Sequence, residues 1–192
     1  MKHLFLPIIA SLFLSSCSLF GKSGVEEAPY TLITKEGSFE LRHYESLVLA
    51  STSLENGSQD EKGPFRKLFG YISGDNAKEQ DISMTAPVFM DKQEGETTSM
   101  SFVLPKDFTQ NTAPAPTDKS VNIENIKDYT VATVTFNGNL KQKNIDTHKQ
   151  KLNQWISEKG YKVLGEARVA GYNPPFTLPP FKRNEVLIPV KE

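Results

Sequence analysis

The sequence predicts an α+β domain in which a mainly antiparallel sheet carries two helices. Three observations predict it: two stretches with helical apolar spacing, several short stretches with strand-like alternation, and an order of elements that repeats. In "GPFRKLFGYISGDN" the residues Phe65, Leu68, Phe69 and Ile72 recur at the spacing of one helix face. Pro64 suits the first turn, where its missing N–H costs nothing, and Gly74 suits the stop. In "NIDTHKQKLNQWISEKG" Ile145, Leu152, Trp155 and Ile156 form a comparable stripe, and Gly160 closes it. His148 falls on that stripe or at its border.

The remaining patterned stretches read as strands: "YTLITKE", "SFELRHYE", "LVLASTS", "ISMTAPVFM", "SMSFVLP", "YTVATVTF", "KVLGEARVAGY" and "NEVLIPV" mix β-branched and aromatic residues with frequent alternation. Pro87 cannot donate to a ladder, so its stretch should bulge or run along an edge there. The Pro-, Thr- and Asn-rich region from Lys106 to Asp118 reads as a loop.

In order, the first half gives strand, helix, "ISMTAPVFM" and "SFVLP"; the second gives "YTVATVTF", helix, "ARVAGYNPPF" and "VLIPV". Each half is a strand–helix–strand–strand unit with a proline in the strand after the helix. This is a duplication, and the halves should share one core, since neither has enough apolar surface alone.

The N-terminus is of another kind. "MKHLFLPIIASLFLSSCSLFG" has Lys2, an apolar run from Leu4 to Leu14, small residues and the one cysteine. Such a run is too short to cross about 30 Å of hydrocarbon and reads as a secretory signal over residues 1–16. Leu14-Ser15-Ser16-Cys17 resembles a bacterial lipobox, which makes Cys17 a lipidation candidate; the alternative is an ordinary signal with an incidental or buried thiol. Ser18 after it matches the rule for outer-membrane delivery, so the expected location is the cell envelope, on the periplasmic face of the outer membrane. Residues 17–29 then form a tether, and 30–192 the domain.

Removing residues 1–16 moves the formal charge from −1 to about −2, which gives no electrostatic reason to expect nucleic acid. It also leaves no thiol for disulfides if Cys17 carries lipid. Catalytic chemistry finds little support. His43 and His148 lie far apart, and no H-E-x-x-H, G-x-S-x-G or phosphate-cradling glycine loop is present. A non-enzymatic domain is expected.

His43 stands out in "FELRHYESLVLA". It alternates with Phe39 and Leu41 on the apolar face of a strand, while Glu40, Arg42 and Tyr44 take the other face. A histidine there either finds a hydrogen-bond partner in the core or binds a ligand.

Five pieces in order, "YTLITKEGSFELRHYE", "FRKLFGYISGDN", "ISMTAPV", "FVLP…PAPTDKSV" and "GYNPPF…RNEVLIPV", resemble the SOUL haem-binding protein family from about Tyr30 to Val190. The resemblance implies a distorted antiparallel β-barrel with two helices, built from a duplicated β-α-β-β unit. It implies non-enzymatic binding of haem or another porphyrin in an apolar cleft near the first helix and the C-terminal loop. His43 occupies the place of a histidine proposed as axial haem ligand in one branch, so any metal contact would run through haem iron; other members lack it. Phe65 and Phe69 are candidates to contact the macrocycle, although their spacing equally suits core packing, which is expected of at least one. Lys62, Arg66, Lys182 and Arg183 are candidates to pair with propionates, the alternative for each being a solvated surface charge. Met84, Met90 and Met100 are possible soft ligands whose default role is packing. The expected partners are thus a tetrapyrrole and, through the N-terminal lipid, a membrane. The competing functions are an envelope interaction or stress protein that binds no haem, and an enzyme acting on a hydrophobic small molecule.

Overall fold

The structure is a computed structural model that describes residues 24–53, 63–93 and 96–191. Its elements are β1 (Glu26–Glu27), β2 (Thr31–Glu36), β3 (Phe39–Ser53), α1 (Gly63–Ile72), β4 (Thr85–Ala86), β5 (Val88–Gln93), β6 (Glu96–Val103), β7 (Asn122–Phe136), α2 (Gln142–Lys159), β8 (Lys162–Val163), β9 (Arg168–Gly171), a 3-10 turn (Pro179–Phe181) and β10 (Asn184–Lys191). Six strands follow the order β3–β6–β5–β9–β10–β7, and β7 returns to pair with β3. Every pairing around this ring is antiparallel, so the sheet closes into a barrel. β2 hangs on β3, and β8 on β10.

The duplication is visible in that order. Read from either end, the ring gives a long strand, the strand last in its half, and the strand that follows the helix. β3 and β7 correspond, and each is 15 residues long. They pair with each other from Phe39↔Val134 to Ser51↔Asn122 and so join the two halves. Two stretches expected to be separate, "SFELRHYE" and "LVLASTS", are therefore one continuous strand. Conversely, "ISMTAPVFM" divides at Pro87 into β4 and β5.

Three apolar clusters fill the molecule. Outside the barrel, α2 lays Ile145, Leu152, Trp155 and Ile156 onto Leu41, Val134, Val186 and Ile188. Gly160 ends that helix with φ 73°, a left-handed conformation that suits glycine, and its N–H caps the last turn. On another outer face, α1 lays Leu68, Tyr71 and Ile72 onto Val48, Ala50 and Phe102. The third cluster, with Tyr44, Leu47, Phe89, Val131, Ala170 and Leu187, fills the inside.

Strand alternation holds along the first part of β3. Leu41 faces α2, so Glu40, Arg42 and Tyr44 on the other face point into the barrel, where all three are buried. Both faces of β3 are covered, because closure buries the inner face while α2 covers the outer one.

Candidate functional site

The barrel interior cannot hold a large apolar ligand, because a charged network occupies it. Glu185, fully buried on β10, accepts two hydrogen bonds from Arg42, at 2.7 and 3.0 Å. It also accepts from Arg183 Nη2 at 2.9 Å and from the Tyr172 hydroxyl at 2.8 Å. Arg42 donates in addition to Glu40 at 2.6 Å, and Arg183 to Glu27 at 2.9 Å. Burial pushes the Glu185 carboxyl up, but the bonds and charge of Arg42, then the charge of Arg183, outweigh it and hold the group below its ordinary value. Tyr172 is raised well above the usual phenol value, first by burial and then by the Glu185 charge. Each buried charge is paired, so the network is a closed structural unit rather than a vacant binding site.

An apolar cavity of about 470 Å³ lies outside the barrel, beneath α1. It is walled by Phe65 and Phe69 of α1, by Met84, Thr85 and Ala86, by Val88, Met90 and Met100 on the outer face of β5 and β6, and by the segment Gly171–Pro175 with Lys182 and Asn184. Its size is that of a small-molecule pocket, and among the described residues Lys182 is the one charged side chain on its wall. The Phe65 and Phe69 rings stack with centroids 5.9 Å apart and an interplanar angle of 13°, and Phe65 meets Phe102 edge-on at 5.5 Å. Neither is the core residue expected of at least one: they are 42% and 51% exposed, whereas Leu68 and Ile72 on the same helix are buried.

The opposite wall is a tied loop between β9 and β10. Asn173 Oδ1 accepts from the Arg183 N–H at 2.6 Å, Tyr172 N–H donates to the Arg183 carbonyl at 3.2 Å, and Lys182 Nζ donates to the Pro175 carbonyl at 3.1 Å. Asn184 Nδ2 donates to the Gly138 carbonyl at 2.8 Å, which fixes the segment leading into α2 and its cavity residue Leu140. With Pro174, Pro175, Pro179 and Pro180 limiting the backbone, this wall is preformed.

The first wall begins earlier than the sequence suggests. Val25 lines the cavity, and β1 pairs with β4, with Ala28 N–H donating to the Ala86 carbonyl at 2.9 Å. Residues 25–28, grouped with the tether by their lack of patterning, thus belong to the fold.

Phe65, Phe69 and Lys182 therefore meet at one cavity, and Met84, Met90 and Met100 join them. Arg183 is turned to Glu27 and Glu185, and Arg66 is exposed on α1; neither lines the cavity. Lys62 and Cys17 lie outside the described residues. His43 is half-buried on β3, with Nδ1 3.0 Å from the Thr130 hydroxyl, and is not on the cavity wall. Thr130 instead lines a second cavity of about 530 Å³ that includes Ile33, Asp128, Leu164 and Lys191, a mixed charged and apolar surface. His148, on α2, has Nδ1 2.8 Å from the Asn144 carbonyl and stacks on Phe136. Sequence reasoning missed Tyr172, Asn173 and Asn184 as wall residues, although the "GYNPP" motif that carries two of them was conspicuous.

The profile of the SOUL heme-binding protein family matches residues 25–189. The chain belongs to that family. Heme-binding protein 2 of Mus musculus is 33% identical over 162 residues, covering 79% of this chain and 78% of that protein. Heme-binding protein 1 of Xenopus tropicalis is 30% identical over 181 residues, covering 88% and 93%. Among solved structures, a hydrolase from Listeria innocua aligns with a TM-score of 0.62 at 7% identity, over 83% of this chain and 94% of that one. The EcmrR C-terminal domain aligns with a TM-score of 0.55 at 16% identity, over 85% and 98%. These two likenesses establish a shared fold only. The match starting at residue 25 agrees with the inclusion of Val25 and β1 in this SOUL-family fold.

Proposed function

We propose that this chain binds haem or a related tetrapyrrole, without catalysing a reaction, in the cavity beneath α1. The observation that carries the reading is the wall itself: stacked Phe65 and Phe69, an apolar floor from β5 and β6, and the charge of Lys182. Those residues fit a flat amphipathic ring. The aromatic and aliphatic groups suit its face, and Lys182 suits a propionate. The names of the relatives, heme-binding proteins 1 and 2, support the same ligand class.

Burying about 400 Å² of apolar ring surface contributes roughly 10 kcal/mol at 25 cal/mol/Å². Association and ordering cost about 4–15 kcal/mol, so a preformed wall matters as much as its area. Haem iron, when present, supplies a coordination site. Thioethers of Met84, Met90 and Met100 are the soft donors on the wall, and His43 is the competing imidazole donor elsewhere. We further propose that Cys17 carries a lipid and holds the protein at the periplasmic face of the outer membrane; the lipobox-like sequence supports this reading.

Titration with haemin, and separately with metal-free protoporphyrin, tests the ligand. Saturable binding of both, seen as a new Soret band and as quenched porphyrin emission, is expected. A folded protein that saturates with neither would sink the proposal. Metabolic labelling with a fatty-acid probe tests Cys17: label in wild type and none in Cys17→Ser is expected, and equal absence of label would refute lipidation.

A further inference from the structure

We infer that the mouth of the cavity lies against the bilayer, so that ligand passes between membrane and protein without crossing water. This rests on lipid attachment at Cys17 and on the cavity as the ligand site. Two independent features of the molecule point to it.

The first is where the chain outside the described residues meets the fold. Gly24 is the first described residue, and Val25, next to it, is already part of the cavity wall. From Cys17 to Val25 the chain can reach at most about 28 Å, given about 3.3–3.6 Å per extended residue. A domain of this length is roughly 35–40 Å across, judging from the radius of gyration expected for it. A lipid at Cys17 therefore keeps the Val25 face near the membrane, and the far side of the barrel cannot replace it without exceeding that reach.

The second is the distribution of exposed apolar residues. Of the eleven large hydrophobic residues exposed among the described residues, six lie on the cavity wall or on the loop between β9 and β10 that forms it: Val25, Phe65, Phe69, Phe176, Leu178 and Phe181. Phe176 is 66% exposed and Leu178 52%, in a loop held at its base by the hydrogen bonds of Tyr172, Asn173 and Lys182. A rigid loop that holds aromatic and aliphatic side chains in solvent gains free energy when they enter an interface. Lys182 on the wall places a cation beside them, which complements phosphate headgroups. Of the five remaining exposed apolar residues, only Ile33 and Leu164 border the second cavity, whose wall carries both Asp128 and Lys191.

The full-length lipidated protein, reconstituted into phosphatidylethanolamine–phosphatidylglycerol vesicles that contain nitroxide-labelled lipid, provides the test. Phe176→Cys, Leu178→Cys and, as a control on β8, Val163→Cys each receive one fluorophore, since an acylated Cys17 does not react. Strong quenching at positions 176 and 178 with little at 163 is expected. Transfer of haemin from vesicle to protein should also slow by about tenfold in the Phe176→Ser/Leu178→Ser double variant, with affinity in detergent unchanged. Vesicle-bound protein quenched equally at all three positions, or at 163 alone, overturns the inference. Label-to-label self-quenching that persists in detergent assigns the patch to a second copy of the chain and also overturns it. Protein recovered away from the vesicles refutes the anchor and this inference together. Selective quenching in a sample that fails haemin titration upholds the membrane-facing geometry while refuting the ligand.

Discussion

Arg42 and Glu185 are 143 positions apart in the chain, yet they form a two-bond ion pair at 2.7 and 3.0 Å, closed off from solvent inside the barrel. Arg42 belongs to β3 of the first half and Glu185 to β10 of the second, so the pair fastens the two halves of the duplication across the barrel interior. Removing one partner leaves a buried charge uncompensated. Glu185→Gln is therefore expected to destabilise the fold by about 3–5 kcal/mol, measured by urea unfolding. A double variant that replaces both groups by apolar residues, Arg42→Met with Glu185→Leu, should recover part of that loss. A single-variant effect below about 1 kcal/mol would show that Arg42 is satisfied without Glu185.

The same pair sets a pH dependence. Glu185 titrates below its ordinary value of 4.5 when folded, so the folded state binds fewer protons there than the unfolded state. Its stabilisation is fully present above the ordinary value and is lost as pH falls through the lowered one. Melting temperature should consequently be nearly flat from about pH 6 to 8 with respect to this group and drop on acidification below about 4.5. Glu185→Gln should be less stable at neutral pH and show a weaker acid slope. Some slope should remain, because Lys35 and Arg42 also hold Glu40 below its usual range against the opposing effect of burial.

What the sequence revealed and concealed follows from which contacts are local. Both helices were legible because an apolar stripe at helical spacing is a local pattern, and Leu68, Ile72, Leu152 and Ile156 are buried as it requires. The stripe does not distinguish Phe65 and Phe69, which face the cavity, from Leu68 and Ile72, which face the barrel. Nothing in the sequence pairs Arg42 with Glu185, because the partner of each comes from the other half of the chain. Repetition of the elements exposed the duplication, but closure of the sheet depends on β3 pairing with β7, and nothing local marks that. The wall residue Val25 escaped notice for the same reason: its strand is two residues long and holds on to a distant partner, β4.

Phe65 and Phe69 offer the most direct test of the cavity. Each presents a half-exposed ring to it, so Phe65→Ala and Phe69→Ala should each weaken porphyrin binding by about tenfold, or about 1.4 kcal/mol. The cost to folding should be smaller than that of Leu68→Ala, which removes a fully buried side chain. Fluorescence titration with metal-free protoporphyrin measures the first effect and thermal melting the second. Unchanged affinity in both phenylalanine variants would place the ligand elsewhere.

Gly171 tests the opposite wall. A Cβ built there would sit 3.2 Å from the Met90 methyl and 3.9 Å from Leu140 Cδ1, both cavity residues. Gly171→Val should project into the binding space, reducing haemin affinity by about tenfold or more, while overpacking costs about 1–3 kcal/mol of stability. Gly171→Ala, whose single methyl needs only the end of Met90 to shift, should fall between wild type and valine. Haemin affinity that follows neither order would exclude this wall from the site.

His43→Ala decides between the two candidate sources of an iron ligand. The His43 ring faces Thr130 at 3.0 Å, and its strand neighbours are Thr31 and Thr130 rather than any wall residue of the cavity beneath α1. If the ring of the ligand lies in that cavity, His43 is out of reach of its iron, and the variant should keep the Soret and visible bands of bound haem. Loss of one neutral hydrogen bond at a half-buried site should cost about 1 kcal/mol of stability. Met90→Leu, close in volume but without a donor sulfur, is the complementary variant, and its bands should shift if a thioether on the wall coordinates iron. Metal-free protoporphyrin separates coordination from packing, because it has no iron to ligate: His43→Ala and Met90→Leu should both bind it within about tenfold of wild type. A clear band shift in His43→Ala, with protoporphyrin affinity preserved, would assign the axial bond to His43 and move the haem from beneath α1 to the side of the barrel where β2, β3 and β7 meet.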